Sequence, residues 1–242
     1  TAIELVAIFF MFIAAANFSL HFLAWRQKTL KNYFIDAEFR SYFKILVYLV
    51  SISLLYLYIT GHYSSLGETV SNGLFQVISI ATTTGFTTDD FSLWPGALPI
   101  LLIFSSFIGG CAGSTAGGMK VIRWIIMYKQ GIREVLRLVH PSATITIKLG
   151  SKAVDSRVLA SIWGFFTVYI VVFSILMLIL IADGVDQATA FSAIAATLNN
   201  LGPGLGGVSE GFMSLGIISK WSTIFAMLLG RLEIFTLLVL IT

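Results

Sequence analysis

This sequence has too little charge to cover itself in water. Only 11% of its residues are Asp, Glu, Lys or Arg, against about 25% in soluble domains. Hydrophobic residues make up 57%, and the mean hydropathy is +0.91. A chain of 242 residues could bury a large core, but it could not dress its surface with so few charges. Composition therefore leaves membrane integration. The single cysteine, Cys111, excludes an internal disulfide and, among small residues, reads as a small hydrophobe. Three scattered histidines, His21, His62 and His140, have no metal-ligand spacing. No small-residue cleavage site follows the first apolar segment, which is also too long for a signal peptide. With no initiating methionine and an apolar run at its end, the chain is expected to be a piece of something longer.

What is present is apolar length, interrupted in particular places. Crossing the hydrocarbon core takes about 20 apolar residues. Residues 2–24 and 158–182 suffice, residues 44–60 are slightly short, and residues 221–242 suffice despite Arg231 and Glu233. Residues 97–128 are long enough but are broken by glycines. Thirteen of the fifteen basic residues fall in two segments, 25–44 and 120–157. Glu68, Asp89, Asp90, Asp183, Asp186 and Glu210 occupy the intervening ones, opposed only by Lys220. The positive-inside rule puts both basic segments in the cytoplasm, and all five tryptophans sit near span ends, where aromatic belts belong.

This sidedness leaves no crossing between His62 and Asp89. Yet residues 69–81 form an apolar, helix-compatible stretch of roughly 20 Å at 1.5 Å per residue, half a bilayer. Residues 187–198 repeat the situation. Two half-length helices that enter and leave on the outer face are re-entrant. Each is followed by a polar, glycine-bearing strip, TTGFT (83–87) and NLGPG (200–204), and aligning Gly85 with Gly202 superposes them. A non-helical strip at membrane depth survives only where it lines a polar cavity. Its peptide and hydroxyl oxygens, uncharged, suit a dehydrated monovalent cation that must also be released, whereas a divalent site would want carboxylates.

The second interruption is FIGGCAGSTAGGMK (107–120), with glycines at 109, 110, 113, 117 and 118. Glycine costs about 1 kcal/mol against alanine in a helix, so the span is expected to break into an intramembrane loop. The competing reading is a continuous helix making a close GxxxG-type contact through Gly109, Gly113 and Gly117. Arg231 is a charge inside the last span and so a functional candidate. Residues at i,i+2 do not share a helix face, so it is not expected to pair with Glu233. It is expected to face the pore and bond loop carbonyls near residues 113–115; the competing reading is an arginine snorkelling to the inner interface.

At these motifs the chain resembles the TrkH/KtrB/HKT superfamily of potassium transporters, its bacterial TrkH branch most closely. FSSFIGGCAGSTAGGMKVIR (104–123), ATLNNLGPGLG (196–206) and MLLGRLEIFTLL (227–238) carry the resemblance, in the family's order. It implies an all-α polytopic membrane protein of helix–pore-loop–helix repeats of potassium-channel type around a pseudo-fourfold pore. Residues 1–24 would be the last helix of the second repeat and 25–43 a cytoplasmic linker. The third repeat would span 44–128, with pore helix 69–81, filter 82–88 and gate loop 107–120. A basic cytoplasmic amphipathic segment would follow at 129–157. The fourth repeat would occupy 158–242, with pore helix 187–198 and filter 199–204.

The resemblance further implies a potassium filter of Thr83, Thr84, Gly85 and Phe86 with Asn200, Leu201, Gly202 and Pro203. Its gate would be Gly109, Gly110, Gly113, Ser114, Thr115, Gly117, Gly118 and Arg231. Asp89 and Asp90 are expected to steer cations at the outer mouth. The expected function is potassium uptake across the bacterial cytoplasmic (inner) membrane, by a homodimer with a cytosolic nucleotide-binding regulatory subunit of TrkA/KtrA type. The alternatives are symport coupled to sodium or protons, or a less selective monovalent cation channel, since Thr87 and Pro203 depart from the potassium-channel pattern. Lys129, Arg133 and Arg137 on one face and Ile132, Val135, Leu136 and Val139 on the other read as an interfacial helix, anchored on anionic lipid or docking that regulator.

Other motifs fail on context. GPGLGG (202–207) satisfies a dinucleotide fingerprint by letter but lacks the preceding strand. GSTAGGMK has Met119 where a P-loop needs its lysine. Ser114 has no histidine at similar depth. No enzyme activity, organic cofactor or nucleic-acid partner is expected; potassium is the transported ion.

Overall fold

The computed structural model describes residues 2–141, 143, 145–150 and 152–232. Two helices in it are long and apolar enough to cross a membrane, α4 (Ala37–Thr60) and α8 (Ser156–Ala182). Their outer faces expose Val47, Tyr48, Leu55, Tyr58 and Ile59, and Ile170, Val171, Ile175 and Leu178. Hydrocarbon tolerates that apolar surface, and water does not. The chain is a helical membrane protein.

Ahead of α4, residues 2–24 do not run as the single span expected from sequence. α1 (Ala2–Ala14) ends, and α2 (Phe18–Gln27) leaves at 97° to it. Asn17 sits at the corner, its side chain accepting from the Ser19 amide at 2.8 Å to cap α2. A short α3 (Lys31–Ile35) then leads into α4, which starts within the stretch expected to be linker. Asp36 caps α4 by accepting from the Phe39 amide at 2.7 Å.

α5 (Leu66–Ala81) and α9 (Gln187–Leu198) are short helices at the two stretches, 69–81 and 187–198, where half-length helices are expected; α5 starts three residues earlier. Each is enclosed: α5 packs on α1, α4 and α6 (Leu98–Ile108), and α9 on α6, α8 and α10 (Ile217–Arg231). α9 buries nine of its twelve residues, seven of them Ala, Ser or Thr and the other two Ile194 and Leu198. Apolar burial drives little helix association within lipid, so close approach through small side chains holds such a helix. α6 touches both short helices.

α6 stops at Ile108 and α7 (Val121–Val139) starts at Val121, so residues 109–120 are not helical. Beyond α7 lies one departure from all-helical structure, a two-stranded antiparallel hairpin of β1 (Lys148–Leu149) and β2 (Lys152–Ala153), with Gly150 at φ +59° in its turn. Lys129 ties it to α7 through the Lys148 carbonyl at 2.6 Å. The part of the last expected span from Glu233 onward, and with it the reading of Glu233, lies outside the described residues.

Candidate functional site: two strips and a glycine-rich loop

Both short helices end in the same way. After α5 the Thr82 hydroxyl bonds back to Ile78 at 2.7 Å, and Thr83 turns left-handed at φ +55°. The Thr83 and Thr84 amides then close on Ile80 and Ser79 at 3.0 and 2.8 Å. After α9, Asn200 takes φ +53°, and the Asn200 and Leu201 amides close on Thr197 and Ala196 at 3.1 and 2.8 Å. Helices commonly close through a left-handed residue that is usually glycine. A β-branched threonine there is an outlier that surrounding structure must hold.

From that corner each strip runs back along its own helix. Gln76, fully buried, donates to the Asp89 carbonyl at 3.1 Å and accepts from the Thr88 amide at 3.4 Å. Ser79 donates to the Phe86 carbonyl at 2.6 Å. Ser192 does the same service for the second strip, accepting from the Leu205 amide at 2.9 Å and donating to its carbonyl at 3.0 Å. Gly85 and Gly202 have φ +83° and +107°. The strips face each other at Gly85, where a Cβ would lie 2.0 Å from the Leu201 carbonyl oxygen.

Among the described residues, the peptide oxygens of Thr83, Thr84, Gly85, Asn200, Leu201 and Gly202 accept no hydrogen bond. The Phe86 oxygen is taken by Ser79. Thr84, Gly202 and Phe86 are exposed, and Pro203 is half-buried. On one side of the strips opens a cavity of about 770 Å³ lined by Gly85, Gly202, Pro203 and the acidic residues Asp89, Asp90 and Glu210. On the other side a cavity of about 400 Å³ is lined by the loop and by Lys120, Arg123 and Arg231. No carboxylate lines it among the described residues.

The acids expected at the outer mouth divide by geometry. Asp89 accepts from the Tyr63 hydroxyl at 2.5 Å, and Trp94 donates to the same hydroxyl at 3.1 Å. Burial, then the bond to Asp89, raises the Tyr63 pKa above its ordinary value. Asp90 caps a short 3-10 turn through the Ser92 amide at 2.9 Å. Asp183 accepts from the Ser219 amide and hydroxyl at 3.1 and 2.6 Å, holding the start of α10. Asp186 caps α9 through the Thr189 amide at 3.0 Å. Hydrogen bonds from Thr189 hold its carboxyl below the ordinary value.

The glycine-rich loop sits against the bases of both strips. The Gly117 amide donates to the Thr83 hydroxyl at 2.6 Å. A Cβ on Gly117 would lie 1.9 Å from the Asn199 carbonyl oxygen, so only glycine fits. Asn199 is fully buried between α8 and α6, accepting from the Tyr169 hydroxyl at 2.6 Å and donating to Ser106 at 2.9 Å. The other flank of the loop pairs with the corner between α1 and α2. The Cys111 and Thr115 amides donate to Ala15 and Ala14 at 2.8 and 3.1 Å, and the Phe18 amide to Gly113 at 3.1 Å. Gly109 and Gly110 are buried at the end of α6, Gly113 and Thr115 are exposed, and Ser114 and Gly118 lie between. Arg231 reaches the loop from α10, its Nη1 donating to the Thr115 carbonyl at 3.4 Å, and Lys120 donates to the Ala116 carbonyl.

Sequence reasoning missed three participants. Glu210 entered only as one of six outer acids, yet it lines the outer cavity. Lys120 ends the expected gate loop but is not among its expected gate residues, and Glu38 falls in the expected linker. Glu38 is 5% exposed and accepts from the Ala112 and Ile122 amides at 2.7 and 3.2 Å. Its signal is faint, an acid four residues before Tyr42, on the helix face that also buries Leu46 and Leu49.

Residues 1–242 match the family described as TrkH, cation transport protein. The chain is 50% identical over 241 residues to the Trk system potassium uptake protein TrkH of Halomonas elongata, covering 100% of this chain and 50% of that protein. It is 36% identical over 238 residues to the Trk system potassium uptake protein TrkG of Escherichia coli K12, covering 98% and 49%. The crystal structure of the potassium transporter TrkH from Vibrio parahaemolyticus matches with a TM-score of 0.95 and 52% identity, covering 100% of this chain and 52% of that one. The chain spans about half the length of the curated relatives it matches.

Proposed function

Since the chain belongs to the TrkH family of cation transport proteins, we propose that it forms two of the four walls of a potassium pore in the pore-forming subunit of a Trk-type uptake system of the bacterial inner membrane. Thr83, Thr84, Gly85 and Phe86 and Asn200, Leu201, Gly202 and Pro203 are its filter strands, and residues 107–120 with Arg231 its gate. The domain division read from sequence goes with this proposal. Its second repeat ends at the α1–α2 corner rather than in one straight helix.

The observation that carries the reading is the row of unpaired peptide oxygens at the two glycines. At membrane depth such oxygens cost several kcal/mol each unless water or an ion satisfies them. Two strips that present them towards a shared gap can replace the hydration shell of a potassium ion. Acids on one side of the gap concentrate cations. Cations on the other side, bonded to the loop, raise a barrier until the loop moves. Each 100 mV of inside-negative potential contributes about 2.3 kcal/mol per ion, so no energy-transducing chemistry is needed. A homodimer and a cytosolic nucleotide-binding regulator remain part of the proposal, with α7 as the surface next to lipid.

The test is rubidium or thallium replacement in a structure of the intact protein. Heavy-ion density beside Gly85 and Gly202 is the expected result. Its absence under conducting conditions would sink the filter assignment. For the gate, Arg231→Ala should raise rubidium flux into liposomes about tenfold, and unchanged flux would remove the arginine from the barrier.

A further inference from the structure

Glu38 is the one carboxylate that reaches the glycine-rich loop among the described residues, and it does so from outside the pore. It lies in the first turn of α4, two residues past the Asp36 cap, just after α3 and within the basic segment 25–44. A single oxygen, Oε1, accepts from Ala112 in the first half of the loop and from Ile122 just past its end. Charge-assisted bonds of this kind are about twice as strong as neutral ones. A buried carboxylate that loses its donors is costly, which makes the pairing close to all-or-none. Lys120, the last loop residue, also acts on the carboxylate electrostatically. The loop is thus held on three flanks: by the α1–α2 corner, by Thr83 at the strip, and by α4 through Glu38.

We propose that Glu38 is a positioning residue that clamps the two ends of the glycine-rich loop in its pore-blocking arrangement, so that movement of the α3–α4 junction on the cytoplasmic side releases the loop. The inference rests on the reading of that loop as a gate. It adds a route by which force applied at the cytoplasmic face reaches the pore without touching the filter. The route runs α3, Asp36, Glu38, then Ala112 and Ile122.

The experiment uses the intact protein in liposomes, with Glu38→Gln, Glu38→Asp, Arg231→Ala and Tyr42→Phe compared with the parent. Tyr42 lies one turn along α4 and donates to the Phe12 carbonyl at 3.0 Å, so its variant loses a buried bond that does not involve the loop. Two readouts are taken: rubidium flux, and the rate at which a methanethiosulfonate reagent modifies Cys111, followed on its peptide by mass spectrometry. Cys111 is 0% exposed and sits between Gly110 and Ala112, so it reports release of the clamped end. Glu38→Gln should raise both flux and labelling about tenfold at unchanged half-saturating rubidium, Glu38→Asp should raise both less, and Tyr42→Phe should change neither. Should Glu38→Gln fail to insert, the aspartate variant carries the same comparison. Unchanged Cys111 labelling, or faster labelling without faster flux while Arg231→Ala does speed flux, overturns the clamp and leaves the gate standing. Unchanged flux in Arg231→Ala and both Glu38 variants overturns the gate reading and the clamp together.

Discussion

The amide of Gly117 and the hydroxyl of Thr83 are joined at 2.6 Å, so the glycine-rich loop is bonded to the base of the first strip rather than lying free beneath it. The bond also explains how a threonine is kept at φ +55°: its side chain is oriented by a partner that only this loop supplies. On its other side the same glycine abuts the Asn199 carbonyl, so one residue touches both strips.

Gly117→Ala should therefore dislodge the loop. The added methyl group meets a backbone oxygen at 1.9 Å, which no side-chain rotation relieves, and such overpacking costs about 1–3 kcal/mol. Basal rubidium flux of the intact protein should rise about tenfold, with a thermal midpoint a few degrees lower. A variant that keeps the parent's flux would show that contact between loop and strip does not restrain permeation.

The two strip glycines should differ in how they tolerate alanine. At Gly85 the methyl group meets the Leu201 carbonyl oxygen at 2.0 Å on top of an unfavourable φ of +83°, whereas around Gly202 there is open space and only φ +107° resists. A left-handed alanine costs about 1–2 kcal/mol. Potassium uptake in a strain dependent on the intact protein should be abolished by Gly85→Ala and reduced by Gly202→Ala. Equal losses would mean that the facing of the strips at Leu201 is not what Gly85 protects.

Among the outer acids, Glu210 should act by field and Asp89 by structure. Glu210 lines the outer cavity and, among the described residues, makes no capping or clamping bond comparable to that between Asp89 and Tyr63. Glu210→Gln should lower flux severalfold at low ionic strength and little at 1 M salt, where the screening length is about 3 Å. Asp89→Asn should lower the thermal midpoint at every salt concentration. Salt-independent loss in the Glu210 variant would reject steering.

Asp186 gives a pH dependence with a defined sign. Its carboxyl is held below the ordinary value by Thr189, so its contribution to stability is complete above about pH 4 and vanishes as pH falls through the lowered value. The parent should melt higher than Asp186→Asn at pH 7, and the gap should close on acidification below about pH 4. A gap as wide at pH 3 as at pH 7 would place the stabilisation elsewhere than in the charge.

Much of this arrangement is legible in the sequence where its cause is local. The apolar stretches at 69–81 and 187–198 are half the length of a span, and short helices stand there, Leu66–Ala81 and Gln187–Leu198. Glycines at 109, 110 and 113 end α6 because they remove helix propensity where they stand. Causes that lie far along the chain leave little trace. Ala14, Ala15 and Ala16 favour helix, yet the chain turns there, where distant loop amides take the Ala14 and Ala15 carbonyls. Glu38 reads as a linker acid because its partners are backbone amides, which have no letter. Asp183 and Asp186 look like Glu210 in sequence, and only geometry separates helix caps from a cavity wall.

The corner at Ala14–Asn17 and the loop at 111–115 each leave peptide groups that a continuous helix would have satisfied internally, and each satisfies the other's. Two irregularities, either of which would be intolerable in hydrocarbon by itself, are thus mutually complementary. Neither segment can then be transplanted singly. A chimaera that imports a straightened first helix strands the amides of Cys111 and Thr115, and one that imports a helical 109–120 strands the oxygens of Ala14 and Ala15. Exchanging both together is the substitution the architecture permits.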